Sequence, residues 1–297
     1  MKQLIKLLLV IAVIQCAMVA TVYWPEATLL AMMSTEHLVP FEPYLVDEIH
    51  IGDEQGNEAV LLNTGDHWIL PDLLGLSVSP ELIEKLLQGV IYAETGWPVA
   101  TSVAARQRFQ VTDYNFQRRL TLIGKGELLG TIYLGSSPGF RRVQARNSTQ
   151  DAIFTIAFNS FDAFGLNSAW LDKRTLQIRS PISIASDNYR LYKQDNGWLS
   201  DAGGQPDARE LDALLVALSS LQIDSVASPD LQQTLSIAVP EITLAIETAE
   251  NITTFELFTL GERHFIHCSD HPLYFTLSAY DFDRFATLDS DRLRGSL

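Results

Sequence analysis

Residues 152–164, AIFTIAFNSFDAF, and residues 273–285, LYFTLSAYDFDRF, share one pattern of aromatic, threonine and aspartate residues. Each stretch contains Phe-Thr followed by an apolar residue, and then Phe-Asp-x-Phe. The alternation of apolar and polar residues in the first part is typical of a strand, and the second part is typical of a short helix. Two copies of this unit in one chain indicate an internal repeat.

The similarity extends towards the N-terminus of each copy. GELLGTIYLG (126–135) corresponds to TTFELFTLGE (253–262), which aligns Leu134-Gly135 with Leu260-Gly261. Further upstream, EAVLLNTGDHWIL (58–70) and NYRLYKQDNGWL (188–199) both read strand, polar turn, strand. Their tryptophans align, and a tryptophan that follows a turn is often a core residue. We therefore expect Trp68 and Trp198 to fill the cores of equivalent modules.

An amphipathic helix follows each of these hairpins. Ser79 precedes Pro80, which is typical of an N-cap with proline at the first helical position. In the second copy Asp207 is the predicted N-cap, and Glu210 is predicted to complete a capping box. The predicted buried stripes are Leu82, Ile83, Leu86, Leu87 and Val90 in the first helix, and Leu211, Leu214, Leu215, Leu218 and Leu221 in the second.

This order of elements predicts an α+β fold. We expect an N-terminal transmembrane helix followed by two tandem copies of a module in which one helix covers a mainly antiparallel sheet. The predicted boundaries are a transmembrane anchor (1–24), a stalk (25–45), a first α+β module (46–165), a linker (166–186), a second α+β module (187–290) and a tail (291–297).

The N-terminal segment supports the predicted anchor. Residues 7–23 read LLLVIAVIQCAMVATVY, with Lys2 and Lys6 before them and Trp24 directly after. A membrane-spanning helix has the same order of features: basic residues, an apolar run and an aromatic boundary. The lysines predict that the N-terminus lies in the cytoplasm. Two alternatives remain open: a signal peptide that is cleaved after a small residue, and a lipidated Cys16, although Gln15 is large for a lipoprotein signal.

The linker and the hairpin motifs carry a family resemblance. The segment SAWLDKRTLQI (168–178), the following DNGWL (195–199) and the helix that begins with Asp207 resemble the bacterial family of domain of unknown function 4340. The resemblance covers most of the chain outside the anchor. It implies an envelope accessory role beside ABC-type transport components of the gliding-motility kind, and it brings no catalytic residues.

Composition limits the possible partners. The chain has 36 acidic and 21 basic residues and a net charge of −15. Such a surface repels nucleic acid phosphates and anionic headgroups, so we exclude nucleic acid as a main partner. Hydrophobic residues make up 47% of the chain, which is enough for packed cores and argues against disorder.

One segment, RHFIHCSDH, concentrates residues that could carry chemistry. It contains His264, His267, Cys268, Asp270 and His271, which are possible zinc or copper ligands, and Cys268 beside a histidine could be a nucleophile. Against both readings, a strand-turn-strand points alternate side chains to opposite faces, and the first copy has no counterpart. We therefore predict a polar hairpin tip, with no catalytic, cofactor-binding or metal-binding residues and no cofactor.

The sequence thus predicts a non-enzymatic accessory or interaction protein. We expect it to be a single-pass protein of the inner (cytoplasmic) membrane, with both modules on the extracytoplasmic (periplasmic) side and a protein partner among ABC-type transporter or envelope components. The alternative is a binding module that holds a soluble or cell-wall ligand in the cleft between the two repeats. An unrecognised hydrolase is a third possibility, although the sequence has no G-x-S-x-G motif.

Overall fold

The computed structural model describes residues 36–195, 197–202 and 204–294, together with Gln15 and Met18. Strands dominate these residues, in agreement with the alternating apolar pattern of the sequence. In chain order the strands are β1 (Glu36–His37), β2 (Glu48–Asp53), β3 (Glu58–Asn63), β4 (Trp68–Leu70), β5 (Leu76–Ser77), β6 (Glu94–Thr95), β7 (Arg118–Gly124), β8 (Glu127–Leu134), β9 (Val143–Asn147), β10 (Phe154–Ile156), β11 (Ser183–Ser186), β12 (Arg190–Gln194), β13 (Gly197–Ser200), β14 (Ile223–Val226), β15 (Ile242–Glu247), β16 (Ile252–Leu260), β17 (Arg263–Cys268) and β18 (His271–Leu277).

The helices are fewer and mostly short. They are α1 (Pro80–Leu86), α2 (Val103–Arg108), α3 (Ala208–Ser219), α4 (Pro229–Leu235), α5 (Ala279–Ala286) and α6 (Ser290–Leu293). A π-helical turn (Leu87–Ile91) continues α1, and 3₁₀ turns lie at Pro43–Leu45, Pro71–Leu73, Ser160–Asp162 and Asn167–Trp170. The protein therefore has an α+β fold with mainly antiparallel sheets, as the sequence predicts.

The described residues form two compact units. The first unit comprises the described residues up to Asn57 together with Glu84–Gly165. Its strands form an antiparallel series in the order β10-β9-β8-β7-β2, and β1 pairs separately with β6. Helix α2 packs on this unit through Ala105, beside buried Val111, Tyr133 and Ile153.

The second unit comprises Glu58–Ile83 and the described residues from Leu166 onward. Its large sheet is antiparallel, in the order β13-β12-β11-β15-β16-β17-β18-β14, and β3, β4 and β5 form an antiparallel meander. The segment predicted as a linker (166–186) carries tightly packed residues in this unit. Trp170 and Leu171 are buried, and the backbone N–H of Ser79 donates to the Trp170 carbonyl at 2.7 Å.

Helices cover both faces of the large sheet, so the prediction of one covering helix is wrong for this unit. Phe265 packs against Leu235 of α4, whereas the ring of the adjacent His264 stacks on Phe282 of α5 at 4.1 Å. Neighbouring residues on a strand point to opposite faces, so α4 and α5 lie on opposite sides. Helix α3 packs against α5. Helix α4 is not indicated by the sequence pattern, because it is short and its apolar residues are few.

The predicted stripes of the two amphipathic helices are largely confirmed. In the first helix and its π-helical continuation, Ile83, Leu86 and Val90 are buried. In α3, Leu214 and Leu218 are fully buried, as is Leu221 just beyond the helix. The other predicted residues of both stripes are half-buried.

The capping box predicted for α3 is only half right. Asp207 caps the helix by accepting from the backbone N–H groups of Arg209 and Glu210. Glu210 does not return a bond to Asp207. Its carboxylate instead accepts from Arg292 at 3.2 Å and from the backbone of Asp289, which attaches the C-terminal segment to α3.

The two aligned tryptophans are not core residues. Trp68 begins β4 opposite Asn63, and Trp198 lies on β13 opposite Lys193, so their positions in the hairpins correspond. Both side chains are only half-buried. The prediction of two core tryptophans is therefore wrong, because both residues lie in short terminal hairpins. Of the tryptophans in the described residues, Trp170 is the fully buried one.

Among the described residues, no helix has the length and apolar character needed to cross a lipid bilayer. Apart from Gln15 and Met18, the predicted anchor (1–24) lies outside the described residues, as does most of the predicted stalk (25–45). The predicted module boundaries stay a prediction.

Candidate functional site

A pocket of about 460 Å³ lies in the second unit at the tip of the β17–β18 hairpin. Three segments that are distant in sequence form it: residues 175–180, the turn between β15 and β16 (248–251), and the hairpin tip itself. Buried Leu176, Phe255 and Cys268 form an apolar floor, while polar side chains form the rim. An apolar floor with a few convergent polar groups is the usual composition of a small-ligand site.

A network of hydrogen bonds holds one side of this pocket. The Asp270 carboxylate accepts from the Thr253 hydroxyl at 2.7 Å and from the Asn251 amide at 3.1 Å. The Ser269 hydroxyl accepts from the backbone N–H of Thr254 at 2.9 Å, which ties the same two turns together. Because Thr253 is buried while Asp270 is exposed, the network fixes a carboxylate at the mouth of the pocket.

Cys268 lies in the floor of the pocket, beside His271 on the neighbouring strand. Its side chain is 3% exposed, and burial raises the pKa of the Cys268 thiol to about 11. Burial favours the neutral thiol over the thiolate, and the thiolate is the reactive form. The structure therefore gives no support to Cys268 as a nucleophile.

We expect Cys268 to resist alkylation in the folded protein at neutral pH. The test variant is Cys16→Ser, which leaves Cys268 as its one thiol. N-ethylmaleimide should label this chain fully in denaturant and only slowly without it, because a pKa about two units above the usual value of about 9 lowers the thiolate fraction roughly a hundredfold. Mass spectrometry of the labelled chain measures both rates. Equal rates would contradict the burial of the thiol.

The other histidines of the RHFIHCSDH segment do not converge with Cys268. The His264 ring stacks on Phe282, and its Nδ1 lies 3.2 Å from the Thr259 hydroxyl. His267 points to the opposite face, where it stacks on Tyr274 and its Nδ1 lies 3.0 Å from the Glu256 carboxylate. In the described part of the chain, no three His, Cys, Asp or Glu side chains are grouped in a way that could hold a metal ion.

The side chains of this hairpin thus point in different directions. The tip of the hairpin, with Asp270 and His271, lines the pocket. Sequence reasoning placed Asp270 and His271 at a polar tip but missed Asn251, Thr253 and residues 175–180. Their convergence depends on which strands are neighbours in the sheet, and no local motif indicates it. Asn251 and Thr253 are two residues apart and precede an apolar run. This spacing could have indicated that both side chains lie on one polar face of a strand, but not that they lie beside Asp270.

A second feature is a set of large apolar side chains exposed next to the two short helices α2 and α4. Beside α2 in the first unit, Trp97 and Tyr114 are exposed. Beside α4 in the second unit, the loop that leads to β15 exposes Ile237 at 85% and Val239 at 87%. Single exposed apolar residues are common, whereas exposed apolar side chains that lie close together can form a patch of the kind found at contact surfaces.

Comparisons with known proteins give one match. No curated protein and no solved structure matches the chain. A family model described as domain of unknown function (DUF4340) matches residues 68–237, which is more than half of the 297 residues. The matched region includes the β4 hairpin strand, α3 and α4. The chain therefore belongs to the DUF4340 family.

Proposed function

We propose that this chain is a membrane-anchored, extracytoplasmic interaction protein with an accessory role in an ABC-type transport or envelope complex. The observation that carries the proposal is the pair of nearly fully exposed aliphatic residues, Ile237 and Val239, next to α4. Membership of the family agrees with it, because the resemblance implies a location beside transport components. The apolar segment 7–23 and its preceding lysines support the proposed membrane location.

We also propose that the two halves are copies of one module. The antiparallel order β10-β9-β8-β7-β2 of the first unit corresponds to β18-β17-β16-β15-β11 of the second. Each copy has a helix before its central strands, α2 in one and α4 in the other. On this reading Tyr114 and the pair Ile237 and Val239 lie in equivalent loops, so both copies expose apolar side chains at the same place.

The test removes the exposed aliphatic side chains and measures partner binding. The double variant Ile237→Asp/Val239→Asp should fold normally, because neither side chain is buried. Loss of a contact worth about 1.4 kcal/mol lowers affinity roughly tenfold. We therefore expect about tenfold less transporter component to co-purify with the variant from detergent-solubilised membranes, quantified by mass spectrometry.

Tyr280→Asp is the matched control, because Tyr280 is also an exposed apolar residue of the second unit and an acid is tolerated in the first turn of α5. It should retain the partner. If no transport or envelope component is enriched with the wild-type chain, or if the double variant keeps its partner, the proposal is wrong. A small molecule that is retained stoichiometrically by the purified chain would favour the second candidate, a ligand-binding module.

The second candidate has one specific observation in its favour, the pocket bounded by Asp270, Thr253 and Asn251. Its carboxylate is held at the mouth by two hydrogen bonds, and a fixed acceptor selects ligands that carry a hydrogen-bond donor or a positive charge. The ligand would then occupy a pocket within the second unit. This differs from the cleft between repeats that the sequence analysis considered.

A further inference from the structure

The loop between β8 and β9 exposes an aromatic ring and two guanidinium groups. Phe140 is 88% exposed at its tip, and Arg141 and Arg142 follow it and are also exposed. Neither arginine forms a salt bridge with a described carboxylate. In a chain with a net charge of −15, this tip is therefore a local exception that combines an apolar ring with uncompensated positive charge.

The loop is held in one conformation by its own hydrogen bonds. The Ser137 hydroxyl lies 2.7 Å from the Gly139 carbonyl oxygen and 2.6 Å from that of Arg142, and the Arg142 N–H donates to Gly139 at 3.2 Å. Arg141 has a left-handed backbone with φ of 52°, which is strained for a residue with a side chain. Its guanidinium lies 5.1 Å from the centre of the Phe140 ring. The ring and the charge are thus presented together.

A recess of about 490 Å³ lies beside the ring in the same unit. Lys85, Ser137, Arg141, Asn159 and Asp162 contribute to its walls. The Lys85 ammonium is already paired with Asp162 at 2.7 Å, so the net charge of the recess comes from the arginine. A positive recess next to an exposed ring suits a phosphate that is linked to an apolar group.

We propose that the tip of Phe140, Arg141 and Arg142 binds the headgroups of anionic phospholipids, with the ring in the apolar boundary and the guanidiniums on the phosphates. This inference rests on the proposed location beside a membrane. Three side chains are too few for a stable protein interface, which needs about 800 Å² from each partner. An aromatic ring together with basic side chains on one exposed loop is the combination that binds an anionic lipid surface.

The acidity of the rest of the chain opposes this contact only over a short range. Charges in water are screened over about 8 Å at physiological ionic strength. Repulsion between the headgroups and acidic side chains further than this from the tip is therefore weak. The same repulsion would favour orientations in which this tip, and not the acidic surface, faces the lipid.

The experiment uses the full chain with Cys16→Ser and a fluorescent probe at Pro138→Cys, which keeps Phe140 and both arginines. Buried Cys268 should remain unlabelled.

The chain is reconstituted in vesicles of phosphatidylcholine, or of phosphatidylcholine and phosphatidylglycerol in equal amounts, with spin-labelled lipid as the quencher. We expect strong quenching in the anionic vesicles, and several-fold weaker quenching both in phosphatidylcholine and in the Arg141→Asn/Arg142→Gln variant. Asparagine is chosen at Arg141 because it tolerates the left-handed backbone.

A probe at Leu128→Cys is the matched control, because this exposed residue lies at the opposite end of β8. It should stay unquenched in both kinds of vesicle. A Pro138 probe that remains in water on anionic vesicles, or that is quenched equally on neutral ones, would overturn the proposal. Carbonate extraction tests the anchor separately. A chain that is released by carbonate while its Pro138 probe is still quenched refutes the anchor and supports the lipid-binding tip.

Discussion

Replacing Trp170 by alanine should lower the free energy of unfolding of the second unit by about 3–5 kcal/mol, the usual effect of removing a fully buried aromatic side chain. Trp170 is 0% exposed and closes the 3₁₀ turn Asn167–Trp170. Around it, the backbone of residues 77–79 bonds to residues 170–172, with Ser79 donating to Trp170 and Asp172 donating to Ser77. The cavity left by the indole would lie under these bonds.

The measurement is equilibrium unfolding in urea followed by far-ultraviolet circular dichroism. Trp198→Ala and Trp97→Ala are the controls, because the first side chain is half-buried and the second is exposed. We expect the Trp97 variant to change stability by less than about 0.5 kcal/mol and the Trp198 variant to fall between the two. A Trp170 variant as stable as the Trp97 variant would show that the indole is not packed as the structure has it.

The tryptophans also show what the sequence can and cannot predict about this fold. The internal repeat aligned Trp68 with Trp198 and predicted that they occupy equivalent positions in two hairpins. This prediction is confirmed, because each pairs with the residue five positions before it. Burial, however, depends on what packs over a hairpin, and these hairpins contain only short strands. Trp170 has no counterpart in a repeat, so the local pattern gave no reason to assign it to the core. The turn that carries it contacts β3, β14 and the 3₁₀ turn Pro71–Leu73, which are distant from it in sequence.

The pocket illustrates a second limit. The alternating pattern predicted strand β18, and the RHFIHCSDH segment with β17 was predicted to be a strand-turn-strand. Asn251, Thr253 and Asp270 converge only because β16 and β17 are neighbours, and residues 175–180 reach them from outside that hairpin. The order of strands in a sheet is set by tertiary packing. The sequence could therefore identify the polar residues but not predict that their side chains converge.

The two aligned glycines, Gly135 and Gly261, provide the second large prediction. A methyl group on Gly135 would collide with the carbonyl oxygen of Phe109 and lie 2.5 Å from that of Gln110. Both obstacles are backbone atoms, and the Phe109 carbonyl also accepts the N–H of Ser136, so it cannot move without breaking that hydrogen bond. Gly135→Ala should therefore cost about 2–3 kcal/mol of stability, as overpacking of a closed site does.

Gly261 has a different reason to be glycine. Its backbone is left-handed, with φ of 66°, and no atom lies within 4 Å of the position that a methyl group would take. Gly261→Ala should cost only about 1 kcal/mol, the penalty of a left-handed residue with a side chain. Gly261→Asn should recover much of that loss, because asparagine tolerates this conformation, whereas Gly135→Asn should be at least as damaging as alanine. Urea unfolding of the four variants separates the two causes. Equal losses at both glycines, or rescue of Gly135 by asparagine, would mean that the close approach of residues 109–110 to Gly135 is wrong.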